Sequence, residues 1–281
     1  MWPTTSSVPV GRVRLPRGSM FCKPCSMSEK WTNPESMFRH KPVGSPQSED
    51  DFGSCVDAMV AARPAANSEF VRSVAAGVAS IEAVRVFAQD LRAIAKDLPL
   101  IQGEIASRAA LHGVDTVILL SHGATLAFGY QSHPPLVDLA DRFANAVGVV
   151  DPPGWEPTLA TTAYLVCVRS LGLEWMEAGI TTMLVDRDWA DAAAALASGL
   201  RDHYGISVDD LACLSALADF SGPRTRAVPA LLSEIARSAY HQKLVLHALR
   251  ETVTLWTNLW DSWASDSDVI PATSPGVVNA Y

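Results

Sequence analysis

Two histidines stand close together in the middle of the chain without an acidic neighbour. His122 and His133 are eleven residues apart, and no carboxylate lies between Asp115 and Asp138. Two imidazoles can share a proton or bind one metal ion, but neutral imidazole balances none of a metal's charge. The pair therefore indicates acid/base chemistry or at most a single metal ion. As alternatives, His133 suits a cap before two prolines, and His122 suits a solvent-facing position.

Two aspartates farther along the chain could add carboxylates to this chemistry. Asp219 ends an apolar run and precedes Arg224 and Arg226, so it is either an ion-pair partner or a catalytic carboxylate. Asp186 is followed by Arg187 in a charged stretch. This stretch is either an exposed turn or part of a catalytic site. The candidate catalytic residues are therefore His133, Asp186, Asp219 and His122.

The five cysteines offer two further kinds of chemistry. Cys22 and Cys25 have the spacing of a redox or zinc half-site, but no second Cys/His pair follows nearby. Cys167 and Cys213 lie in apolar helical patterns, where a thiol is either a nucleophile or part of the core. Three of the cysteines, Cys22, Cys25 and Cys55, fall in the first fifth of the chain. This distribution favours reduced thiols and a cytoplasmic protein.

Composition narrows the class of partner. Hydrophobic residues make up 48% of the chain and charged residues 19%, which is typical of a globular protein. The formal charge of −8 and the absence of a basic stripe exclude a nucleic-acid partner. No apolar run reaches the length of a membrane span, so we expect a small-molecule ligand and no membrane.

The candidate residues must be positioned by helices, which the apolar periodicity predicts. Residues 1–53 are rich in Pro, Ser, Thr and Gly and predict a disordered arm, while residues 54–266 predict one helical domain and residues 267–281 a tail. Strand-like alternation is nearly absent, so the fold class is all-α. The expected helices include 117–128, 136–147, 158–171, 174–185, 189–204 and 208–220.

Prolines and glycines predict where these helices begin and end. Pro134 and Pro135 suit the first turn of a helix that Gly148 would end, and Gly205 suits a helix C-cap. Pro99 would kink or divide the helix around it. Residues 221–223, Ser-Gly-Pro, predict a break, followed by one long amphipathic segment over residues 227–264.

Several phrases, in order, resemble the heme-oxygenase-like superfamily. They lie at residues 76–79, 83–91 and 97–99, at 132–136 with 143–148, at 199–205 followed by Asp219, and at 256–263. Together they cover about residues 65–265 and resemble the branch that holds pyrroloquinoline-quinone synthase, thiaminase II and the non-heme diiron oxidases. The resemblance implies a heme-oxygenase-like multi-helix bundle and a homodimer.

Position by position, the resemblance implies an incomplete iron site. His133 matches the first histidine ligand of the diiron members, Asp186 a later glutamate, and Asp219 the aspartate of a His-x3-Asp-x2-His cluster. Ser215 and Gly222 stand where that cluster has its histidines. At most half of the ligand set is present, so no cofactor or a single metal ion is expected instead of a diiron centre.

Three functions follow from this resemblance. The first is a small-molecule tailoring enzyme of specialised-metabolite biosynthesis, an oxidoreductase-like protein that performs oxidation or cyclisation in the central cavity. The second is a catalytically degenerate ligand-binding or partner subunit. The third is a thiaminase-like hydrolase that uses Cys167 or Cys213 as nucleophile.

Overall fold

The structure is a computed structural model that describes residues 45–113, 128–129, 134–149 and 156–264, except for the side chains of 173–174, 186 and 220–227. Within these ranges the chain is helical and no residue lies in a β-strand. The helices are α1 (Glu49–Ala61), α2 (Glu69–Ala75), α3 (Ile81–Leu111), α4 (Leu136–Ala146), α5 (Leu159–Glu174), α6 (Met176–Thr182), α7 (Asp188–Tyr204), α8 (Ala212–Ile235) and α9 (Ala239–Ser262). Two 3₁₀ turns join them, Ala65–Asn67 and Met183–Arg187.

Hydroxyl side chains start five of these helices. Each cap oxygen accepts a hydrogen bond from a backbone N–H in the first turn, which would otherwise lack a partner. The caps are Ser48, Ser68, Ser80, Thr158 and Ser238. At the other end of α7, Gly205 adopts φ 69°, a conformation that glycine reaches without strain. The predicted C-cap at Gly205 is confirmed.

Two prolines that the sequence marks as interruptions lie inside helices. Helix α3 continues through Pro99, and α8 continues through Pro223. The expected break at residues 221–223 is therefore wrong. Buried residues lie on both sides of each proline, such as Leu217 and Val228 in α8, and this packing offsets the lost backbone hydrogen bond. The break lies instead at residues 236–238, so the expected segment 227–264 is two helices.

Some expected boundaries fall outside the described residues. The helix expected over 117–128, most of the arm and the C-terminal tail all lie there. At the N-terminal side, α1 begins at Glu49, within the segment expected to be the arm. Its first turn is acidic and its Phe52, Val56 and Val60 are buried, so this helix packs as part of the bundle.

Aromatic rings from six helices fill the core. Trp256 and Trp260 on α9 and Trp263 at its C-cap form a buried row. Their ring centroids lie 5.0 to 5.6 Å from the next tryptophan in the row, and neighbouring helices add rings around them. The added rings are Phe70, Phe87, Phe143, Tyr164 and Trp189.

Helices α5 and α9 pack antiparallel. Tyr164 of α5 contacts Trp256 of α9, with ring centroids 5.3 Å apart. The start of α5 and the end of α9 meet at the buried carboxylate of Asp90 on α3, which accepts hydrogen bonds from Thr158 and Trp263. The end of α9 therefore lies beside the first turn of α5.

Candidate functional site

Helix α8 packs against two other elements that carry or adjoin candidate site residues. Helix α8, which carries Asp219, contacts α4, α6, α7 and the 3₁₀ turn Met183–Arg187. That turn carries Asp186, and α4 begins three residues after His133. Helix α8 thus contacts both the turn that carries Asp186 and the helix that follows His133 in the chain.

Three of the candidate side chains cannot be placed. His122 and His133 lie outside the described residues. For Asp186, the backbone lies in the 3₁₀ turn Met183–Arg187, but the side chain is among those not described. The roles of these residues stay predictions.

Asp219 lies on the outer side of α8. It is exposed, as is Ser215 one helical turn earlier, while Cys213, Leu214 and Leu217 of the same helix are buried. Residues four apart share a helix face, so Ser215 and Asp219 together face away from the core that α8 covers. This carboxylate is therefore exposed on α8 and is not buried in the core.

The structure adds one acidic group that the sequence does not single out. Asp188 begins α7, and its carboxylate accepts hydrogen bonds from the indole N–H of Trp256, at 3.1 Å, and from the backbone N–H of Ala65. Burial raises the pKa of Asp188 to about 6, an effect that these hydrogen bonds and Arg187 reduce. A carboxyl group that titrates near pH 6 can both give and take a proton near neutral pH. In the sequence, Asp188 looks like part of a charged turn, because its indole partner is 68 residues away.

Comparison with known proteins tests the fold. No protein-family model matches the chain, and no curated protein matches it. Among solved structures, it is similar to the 2.30 Å crystal structure of a domain of unknown function with a heme oxygenase-like fold from Shewanella denitrificans OS217. The TM-score is 0.55 at 13% identity, over 76% of this chain and 89% of that chain.

The fold is heme-oxygenase-like. The predicted fold class, an all-α heme-oxygenase-like bundle, is confirmed by this likeness and by the helical architecture. At 13% identity the likeness extends to the fold alone.

Cys167 on α5 and Cys213 on α8 are poor nucleophiles. Burial raises the pKa of the Cys213 thiol to about 12, and burial together with the charge of Glu251 raises the pKa of Cys167. Because the thiolate is the reactive form, the raised pKa lowers the reactivity of both side chains. This environment is typical of core cysteines. Of the two alternatives from the sequence, nucleophile or part of the core, it favours the core.

The α8 donors do not fit a paired iron centre. At the spacing of the His-x3-Asp-x2-His cluster, α8 supplies a hydroxyl at Ser215, one carboxylate at Asp219 and no side chain at Gly222. Among the residues described in full, no group of three or more His, Cys, Asp and Glu side chains could bind a metal ion.

The same part of the chain has no helix that is long and apolar enough to cross a bilayer.

Proposed function

We propose that this protein is a small-molecule tailoring enzyme whose substrate binds beside α8, which packs against both α4 and the 3₁₀ turn Met183–Arg187. The observation that carries the proposal is the packing of α8 against both of these elements. They are the elements that hold or adjoin His133, Asp186 and Asp219, the residues that match ligand positions of the resembled diiron proteins. The reaction is an oxidation or cyclisation in specialised metabolism, either without a cofactor or with one metal ion.

In this proposal, the protein's own side chains move protons. His133 serves as the main acid/base group because imidazole changes its charge near neutral pH. His122 shares its proton, and Asp186 orients or protonates the substrate. Asp219 serves the part of the substrate that reaches the outer side of α8, where this side chain is exposed. The protein acts in the cytoplasm as a homodimer.

The test is a matched pair of histidine variants. We expect His133→Ala to abolish turnover while helicity and melting temperature stay unchanged, whereas His112→Ala, at the exposed end of α3, retains full activity. Turnover is measured by oxygen consumption and mass spectrometry over a panel of small aromatic and amine metabolites. Full activity of His133→Ala would rule out the assigned role.

A second candidate function is a non-catalytic subunit that binds a ligand or an active partner. The exposure of Ser215 and Asp219, opposite the buried face of α8, favours it, because a catalytic carboxylate normally lines an enclosed site. Metal analysis of protein grown with added iron or manganese, together with the turnover screen, separates the two functions. A subunit of this kind binds ligands from the panel, as thermal shifts, without converting them.

The thiaminase-like alternative requires a reactive cysteine. The raised pKa of Cys213 and of Cys167 disfavours it, because it lowers the fraction of each thiol in the reactive thiolate form. It would regain support if Cys213→Ser or Cys167→Ser abolished hydrolysis of a thiamine-type substrate while the melting temperature stayed unchanged.

A further inference from the structure

A cleft lies where α1, the end of α8 and the start of α9 meet. Helix α1 packs against both of the other helices, and the cleft has a volume of about 440 Å³. Small-molecule sites typically have volumes of about 300–1,000 Å³. Glu234, which lines the cleft, lies 15 residues after Asp219 on α8, or about 22 Å along the helix axis. The cleft is therefore distant from Asp219.

Hydrogen bonds fix the walls of this cleft. The buried side chain of Gln242 on α9 accepts a hydrogen bond from the backbone N–H of Gln47 at 2.8 Å and donates one to the carbonyl oxygen of the same residue at 3.1 Å. The ring Nδ1 of His241 lies 3.1 Å from the carbonyl oxygen of Ile235, the last residue of α8. These contacts hold the segment before α1 and the end of α8 against the start of α9. The cleft is thus organised before a ligand arrives, which lowers the cost of binding.

The cleft combines apolar surface with charges of both signs. Phe52 and Ala236 line it and are buried. Glu49, Glu234 and Arg237 also line it, and all three are exposed. A ligand that fits this lining has an apolar body and carries both a positive and a negative group.

The three charged side chains of the cleft are unpaired within the described part of the chain. Glu234 and Arg237 are only three residues apart, yet they form no ion pair with each other. The carboxylate of Glu49 likewise has no hydrogen-bond or ion-pair partner among the described residues. All three groups are therefore available to a ligand.

We propose that this cleft binds a small zwitterion, an α-amino acid with an apolar side chain. The ligand carboxylate pairs with the guanidinium of Arg237, which can offer two parallel N–H donors to it. The ligand ammonium group pairs with Glu49 and Glu234, and the ligand side chain covers Phe52. A plain amine would leave Arg237 unpaired, and a plain carboxylic acid would leave both glutamates unpaired. This inference is independent of the proposed function.

The test is the binding of L-phenylalanine and L-leucine to the full-length protein, measured by isothermal titration calorimetry. The matched control ligands are the corresponding amines, which lack the carboxylate, and the corresponding carboxylic acids, which lack the ammonium group. We expect each control ligand to bind at least about tenfold more weakly than its amino acid, because a charge-assisted hydrogen bond is lost.

Variants locate the binding in the cleft. We expect Arg237→Gln to weaken amino-acid binding about tenfold or more and to leave the weaker binding of the amine unchanged, whereas Glu234→Gln weakens both. Arg250→Gln, at an exposed position of α9 outside the cleft lining, is the control and should bind like wild type. Because Glu234 and Arg237 are exposed, both variants should keep the circular dichroism and melting temperature of wild type.

Three results would overturn the inference. The first is the absence of binding of both amino acids at millimolar concentration. The second is an amine or a carboxylic acid that binds as tightly as its amino acid, since the cleft then recognises one charge alone. The third is an equal loss of binding in Arg250→Gln and Arg237→Gln. If a cleft variant is destabilised, the comparison of the ligands on wild-type protein decides, since it needs no substitution.

Discussion

The carboxylate of Asp90 accepts a hydrogen bond from the indole N–H of Trp263 at 2.9 Å, across 173 residues of sequence. It accepts two more from Thr158, one from the backbone N–H at 2.9 Å and one from the hydroxyl at 2.6 Å. Asp90 is completely buried, and three neutral donors replace the water that its carboxylate loses on folding. This one side chain holds the start of α5 and the end of α9 against α3.

Removal of the Asp90 carboxylate should destabilise the fold strongly. We expect Asp90→Ala to lower the free energy of unfolding by about 2–4 kcal/mol, because the indole and backbone donors are left buried without an acceptor. Urea denaturation followed by circular dichroism measures the change. Asp97→Ala, at an exposed position of the same helix, should change it by less than about 0.5 kcal/mol. A loss below about 1 kcal/mol for Asp90→Ala would mean that water replaces the carboxylate.

A pair of helical glycines should respond to alanine with opposite signs. At Gly199 on α7, a Cβ would lie 2.4 Å from the carbonyl oxygen of Val74 and 2.7 Å from the Cα of Ala75, so α2 and α7 would have to separate. At Gly103 on α3, nothing lies within 4 Å of the added atom. We expect Gly199→Ala to destabilise by about 2–3 kcal/mol and Gly103→Ala to stabilise by about 0.5–1 kcal/mol. Thermal melting of the two variants is the measurement, and stabilisation by both would contradict the close packing of α2 on α7.

Asp188 should make stability depend on pH between about 4 and 7. Its pKa rises from 3.8 to about 6 on folding, so the folded state holds this proton more tightly than the unfolded state does. Its contribution to stability is therefore greatest below pH 4 and is lost as the pH rises through 6. Relative to wild type, Asp188→Asn should gain about 1–2 kcal/mol between pH 4 and pH 7, after allowance for solvent screening.

The measurement for Asp188 is urea denaturation of both proteins at several pH values. Asp209→Asn, in the exposed turn before α8, serves as the control and should follow the pH profile of wild type. A profile of Asp188→Asn that is parallel to wild type would show that Asp188 titrates at its ordinary pKa in the folded protein.

Cys213 should resist alkylation for as long as the protein is folded. Its side chain is buried, so the reagent cannot reach it. Its pKa is raised to about 12, so little of the reactive thiolate form is present. We expect iodoacetamide at pH 8 to modify Cys55 first and Cys213 only after addition of denaturant. Rapid modification of Cys213 in the native protein would restore the thiaminase-like alternative.

Local sequence predicted the helices where short-range chemistry decides them. The prolines at 134 and 135 precede α4, and Gly205 ends α7. The break predicted at residues 221–223 within α8 is wrong. Residues on both sides of this turn-like sequence are buried, and their packing stabilises the helix through it. Local sequence also cannot predict the environment of Asp188, because its indole partner lies on another helix.

The sequence by itself determined an all-α chain, because helix periodicity acts within a few residues. The heme-oxygenase-like bundle was implied by a resemblance of its ordered phrases to that superfamily. Only the tertiary structure decided the environment of each acidic group. Asp90 and Asp188 meet indole N–H groups from α9, while Asp219 faces water. Burial and long-range hydrogen bonds set the energy of a charge, and both depend on which helices meet.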